Sequence, residues 1–183
     1  MLIQTTRFGP VEMKEEDVLD FHEGILGFSH LRKFVLLDDP HDEIFAWLQS
    51  CEVSNIAFPI LEPELFIQNY QVALTRHDVE AIKLAANERT RFFSIITIPN
   101  DPTLMTANLK APIVINIDRK IARQCVLQDN SLAIKEPIFA KLQQRLVLNP
   151  KASIKSRASD WGVAIKLPDN QAQISFPGTD ILK

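Results

Sequence analysis

Cysteine is nearly absent from this chain: only Cys51 and Cys125 occur among its 183 residues. Two thiols make no disulfide framework, and without an export signal they point to a reducing cytoplasm. The opening Met1-Leu2-Ile3-Gln4-Thr5-Thr6-Arg7 lacks a basic segment followed by a long apolar run, so no signal peptide is expected. No stretch of about 18 uncharged apolar residues exists, so no membrane-spanning helix is expected. The five glycines stand singly, and none builds a dinucleotide fingerprint or a P-loop. The four histidines, His22, His30, His41 and His77, are dispersed, with no partner cysteine nearby, and do not read as a metal site. His41 with Asp38, Asp39 and Asp42 is the best carboxylate–histidine group, yet it lies in a polar turn, where aspartate is favoured for turn bonding alone. Cys51 would need a histidine base and a lowered pKa to act as a nucleophile; a structural cysteine at a strand end is the simpler reading. No catalytic residue, cofactor or metal is expected.

What is present is ordinary globular composition, 46% apolar and 23% charged. The net charge of −3 is uneven. Residues 1–137 carry 13 Lys and Arg against 20 Asp and Glu, hence −7; residues 138–183 carry 7 against 3, hence +4. An acidic body repels a phosphate backbone and suits a basic partner, though the same charge also serves solubility. Single-strand binders interleave aromatics with basic side chains, whereas Phe21 and Phe66 stand among carboxylates here, so no direct contact with nucleic acid is expected.

The hydrophobic pattern is mostly of period two, which predicts strands. The runs are Leu2–Phe8, Val11–Lys14, Phe34–Leu37, Ile44–Gln49, Ile56–Leu61, Phe92–Ile98, Ile113–Ile117 and Ile121–Leu127, separated by short polar turns. Close spacing of this kind predicts a mainly β domain, an antiparallel sheet curled into a barrel-like body. Thr75 with Asp78 predicts a capped helix, and Phe139, Leu142 and Leu146 place a second over Ile138–Leu148. Residues 1–148 then form the body, and 149–183 a linker with an extra C-terminal hairpin. In that hairpin Trp161, Val163, Ile165 and Leu167 alternate with small or polar residues, as do Ala172, Ile174 and Phe176. An isolated hairpin is marginal in water, so it docks on its own sheet or on another chain, which would give a homodimer.

Particular residues add a resemblance. Met105-Thr106-Ala107-Asn108-Leu109-Lys110-Ala111-Pro112-Ile113-Val114-Ile115-Asn116 closely resembles the most distinctive segment of the FliW family. Thr6-Arg7-Phe8-Gly9, the loop holding Phe21, Gly24, Gly27 and Phe28, Trp47-Leu48-Gln49-Ser50, Ala57-Phe58-Pro59, and Gln124, Leu127 and Pro137 follow in order, so the resemblance spans about residues 5–137. It departs at His22 and Leu26, where the family usually has prolines, and at Lys135-Glu136. The resemblance implies a compact β-barrel without catalysis or cofactor. It implies a cytoplasmic regulator of flagellar assembly that binds the translational repressor CsrA away from its RNA surface, relieves repression of flagellin synthesis, and also binds flagellin. A barrel-type chaperone or adaptor unrelated to CsrA is the alternative. The expected gripping surface joins Glu62, Glu64 and Phe66, carboxylates beside an aromatic, to Met105, Asn108 and Leu109 in the distinctive segment. Phe66, Met105 and Leu109 are equally what a core would contain.

Overall fold

The computed structural model describes residues 1–148 and 161–168. In chain order the strands are β1 (Leu2–Thr5), β2 (Gly9–Glu12), β3 (Leu19–Asp20), β4 (Lys33–Asp38), β5 (Ala46–Ser50), β6 (Ala57–Leu61), β7 (Thr90–Thr97), β8 (Thr106–Ala107), β9 (Ile113–Asn116), β10 (Ile121–Gln124), β11 (Glu136–Pro137) and β12 (Ala164–Lys166). The helices are α1 (Arg76–Ala81) and α2 (Phe139–Leu148).

Seven strands close a barrel in the order β3-β4-β5-β6-β7-β9-β10, with Ile121 of β10 returning to Asp20 of β3. That closing ladder is parallel, as is the pairing of β12 with β4; the other ladders are antiparallel. The sheet is thus mixed at two places where the antiparallel reading was too simple. Antiparallel neighbours follow from tight turns, whereas β3 and β10 are joined by a long excursion that leaves direction free.

Alternation along each strand gives the barrel an inside and an outside, and both are buried. Leu19, Phe34, Leu48, Ile60, Phe93 and Ile115 fill the interior. Val35, Leu37, Trp47, Leu61 and Ile96 face outward and are covered by the β1–β2 hairpin, α2 and the segment around Met105. On another flank Ile82, at the end of α1, packs with Val114, Ile121 and Cys125. β5 is accordingly buried along its whole length.

Local signals set several of these elements. The Thr75 side chain accepts a hydrogen bond from the Asp78 amide, and the Asp78 carboxylate accepts one from the Thr75 amide, the reciprocal cap expected from the sequence. Burial pushes the Asp78 carboxyl up, but bonds from Thr75 and the charge of Arg123 outweigh it and hold its pKa below the usual range. In α2, Leu142 is buried, with Phe139 and Leu146 packed beside it. The first turn falls earlier than Gly9-Pro10. Thr6–Phe8 make it, the Thr5 hydroxyl donating to the Gly9 carbonyl at 2.8 Å and accepting from the Phe8 amide at 2.9 Å. Gly9 and Pro10 instead open β2, where an edge position tolerates a residue without an N–H.

Leu167 donates its amide to the Asp38 carbonyl at 2.9 Å, continuing the β12–β4 ladder. The expected single apolar face divides. Ile165 and Leu167 join the outer layer, while Trp161 and Val163 precede the strand and enter the barrel interior. Gly162, at φ +69°, lies between those two residues. The linker 151–160 and the expected second strand, residues 171–176, lie outside the described residues.

The loop from Phe21 to Phe28 supplies a test. Gly24 and Gly27 both have positive φ, but a Cβ on Gly24 would stand 2.7 Å from the Phe28 carbonyl oxygen and 2.7 Å from the Ser29 Cα, whereas one on Gly27 meets nothing within 4 Å. Gly27→Ala should therefore cost only the left-handed penalty, roughly 1–2 kcal/mol. Gly24→Ala should cost clearly more, because backbone must move. Urea unfolding of the two variants side by side measures the difference, and equal losses would show that the loop yields freely.

Candidate partner-binding surface

β6 ends at Leu61 and the chain turns at once into a 3-10 turn, Pro63–Leu65, with proline at its first position. The Leu65 amide donates to the Glu62 carbonyl at 3.1 Å, and the Ile67 amide to the Pro63 carbonyl at 2.9 Å. This fixes the Glu64 carboxylate outward and the Phe66 ring inward. Glu62 is half-buried and engaged by neighbouring groups. Glu62, Glu64, Tyr70, Val72, Arg91 and Phe92 line a cavity of 190 Å³.

The second segment lies beside the first. The Tyr70 hydroxyl donates to the Leu109 carbonyl at 2.8 Å, and Phe66, Met105 and Leu109 belong to one outer-layer cluster. The six residues singled out from the sequence are thus brought into one neighbourhood, but not as six surface contacts. Met105 has 0% of its surface exposed, Leu109 3% and Phe66 9%. Their side chains pack in the core, the second of the two readings that the sequence allowed for them. Asn108 is half-buried, and its side-chain oxygen accepts the Ala111 amide at 3.0 Å.

The same contacts explain why the run from Met105 is so distinctive. Thr106 and Ala107 are wedged between β7 and β11. The Asn108 amide donates to the Ile95 carbonyl and the Leu109 amide to the Ala133 carbonyl, both at 3.0 Å. The Gln124 side-chain amide donates to the Ala111 carbonyl at 3.0 Å, while its oxygen accepts the Leu26 amide at 3.0 Å. Nearly every residue there has a structural duty. Tyr70 escaped the sequence reading, although being the chain's only tyrosine was a signal.

A second cavity of 230 Å³ is lined by Arg7, Trp47, Gln49, Ala57, Pro59 and Ile96, among others. The Arg7 guanidinium lies over the Trp47 ring, 3.6 Å from its centroid. Burial lowers the Arg7 pKa, and the charges of Asp42 and Asp39 oppose that. The Asp-rich turn noted in the sequence serves structure here. Asp42 accepts from the Ile44 and Phe45 amides and, at 3.1 Å, from the Trp47 indole N–H, while Asp39 accepts the His41 amide. Burial and then Glu52 push the Cys51 thiol up to about 11, and burial with Asp78 pushes Cys125 up to about 12, so neither is a thiolate near neutrality. Among the described residues no three His, Cys, Asp or Glu side chains gather to hold a metal ion, and no helix is long and apolar enough to cross a membrane.

Comparison with known proteins places this architecture. The family model described as FliW protein matches residues 2–138. The flagellar assembly factor FliW of Bdellovibrio bacteriovorus is 66% identical over 167 residues, covering 91% of this chain and 95% of that protein. Its counterpart in Clostridium tetani is 36% identical over 139 residues, covering 76% and 96%. A crystal structure of the flagellar assembly factor FliW superposes with a TM-score of 0.71 at 29% identity, covering 76% of this chain and 97% of that one.

Proposed function

The chain belongs to the FliW family of flagellar assembly factors, and from that premise we propose that it is a non-enzymatic cytoplasmic regulator that binds CsrA, relieves repression of flagellin synthesis, and binds flagellin. The observation that carries the choice of surface is the rigid turn at Glu62–Leu65. It displays carboxylate on an acidic body and stands on packed apolar residues. CsrA must hold RNA phosphates and is therefore basic, and its long-range field steers an acidic partner toward it even when the contact lies away from the RNA surface. Glu62, Glu64 and Asn108 supply the contact in this reading. Phe66, Met105 and Leu109 hold it in shape from beneath. The body is residues 1–148, and 149–183 is an extension to it.

The test is kinetic. Replacing Glu62 and Glu64 together by Lys should slow association with purified CsrA more than it speeds dissociation. The wild-type on-rate should fall as salt rises from 0.1 to 1 M, because the screening length shrinks from about 10 Å to about 3 Å. Rates flat across that range would remove charge as the basis of recognition. A pull-down that returned neither CsrA nor flagellin but unrelated chains would favour a general adaptor.

A further inference from the structure

The β4 edge is shared by two short strands. β3 pairs only at Lys33 and Phe34, and β12 takes over at Leu36, Leu37 and Asp38. Without β12 that second stretch is an open sheet edge, beside which the barrel interior lies exposed. β12 reaches it from beyond residue 138, where the family match ends. The matched crystal structure is covered almost entirely by 76% of this chain, so about a quarter of this chain has no counterpart there. The gap is nevertheless shaped for an extended chain. The Trp161 ring meets Phe93 edge-on at 4.8 Å, Val163 enters the same interior, and Leu167 seats in the outer layer. Lys120 holds the entry by donating to the Gly162 carbonyl at 3.1 Å. The fit has one fault: among the described residues the buried Trp161 indole N–H finds no acceptor, which penalises the occupant.

We infer that the β4 edge at Leu36–Asp38 and the adjoining barrel mouth form an acceptor site for an extended segment, with residues 161–167 as its resident intramolecular occupant. The external ligand it fits is an extended apolar segment of a partner chain, running parallel to β4. It carries a large ring, a branched aliphatic residue two positions on, and another aliphatic four beyond that. Backbone pairing supplies affinity and the alternate side chains supply selection. Because the resident is tethered, it competes at high effective concentration and keeps such a segment out until it is displaced. This holds whether or not the Glu62–Leu65 turn is where CsrA binds.

The experiment uses the full chain and a fluorescent peptide of its own residues 159–168. Wild-type chain should bind the peptide weakly. Full-length Trp161→Ala, whose resident has lost its anchor, should bind it at least tenfold more tightly. A peptide carrying the same Trp161→Ala change should bind neither. Full-length Ala164→Pro, which spoils the β12 ladder while leaving every barrel residue intact, repeats the test should Trp161→Ala fail to fold. Equal peptide affinity for wild type and the folded variants would overturn the inference. So would a wild-type dimer that falls to monomer in Ala164→Pro, since the occupant would then be a neighbour's strand.

Discussion

Met105→Ala is expected to lower the unfolding free energy by about 2–5 kcal/mol, the usual range for truncating a buried methionine. Met105 is fully enclosed, among Phe66, Ala107, Leu109, Ile138 and Leu142. Its backbone is tied as well, the amide donating to Pro102 at 3.1 Å and the carbonyl accepting from Ile138 at 3.3 Å. The strand β8 that follows is therefore unable to slide in and close the space. Urea denaturation measures the loss. At a temperature where the variant stays folded, its affinity for the proposed partners, CsrA and flagellin, should remain within about twofold of wild type, because a buried side chain acts on a partner only through the surface it supports. A variant that kept its stability but lost its partners would show Met105 to be a contact after all.

Asp42→Ala is expected to cost a similar amount, about 3–5 kcal/mol, for a different reason. One carboxylate accepts two backbone amides and the Trp47 indole N–H inside a buried turn. Alanine leaves those donors without their acceptor, and leaves the Arg7 guanidinium that stacks on Trp47 facing less negative charge. In a domain of this size each kcal/mol moves the melting temperature by roughly 2–4 °C, so a thermal scan resolves the effect readily. Asp42→Asn keeps an oxygen for the two amides and should fall between wild type and Asp42→Ala. If Asp42→Ala melts with wild type, the turn is held by the chain on either side and the carboxylate is incidental.

The sequence was most informative where its signals are local. Thr75 and Asp78 sit three residues apart, so their mutual cap needs no knowledge of the rest of the chain. The short apolar runs Phe34–Leu37 in β4 and Ile113–Ile115 in β9, ended by polar residues and too short for helices, likewise announce strands by themselves. What they do not reveal is which segments off the barrel, such as those around Phe66 and Met105, cover its outer face. That is why Phe66, Met105 and Leu109 read as candidate anchors although they are packed. The parallel ladders of β3 with β10 and β12 with β4 depend on contacts between distant parts of the chain, and no short motif encodes them. The apolar face expected from Trp161 to Leu167 failed for the opposite reason. The residues alternate on paper, but the strand begins only at Ala164, and Trp161 and Val163 before it enter the other layer.

Barrel closure also has a place in time. Asp20 cannot pair with Ile121 until about a hundred further residues have been made. At synthesis rates of about 5–20 residues per second, that interval is roughly 5–20 s. Until then β3 has β4 on one side and nothing on the other, and the interior lies open along that seam. Closing so distant a pair is also among the slower steps a small domain takes. A freshly translated copy is therefore seconds late to any partner that recognises the finished barrel, and during those seconds the open seam is where a holding chaperone would find it.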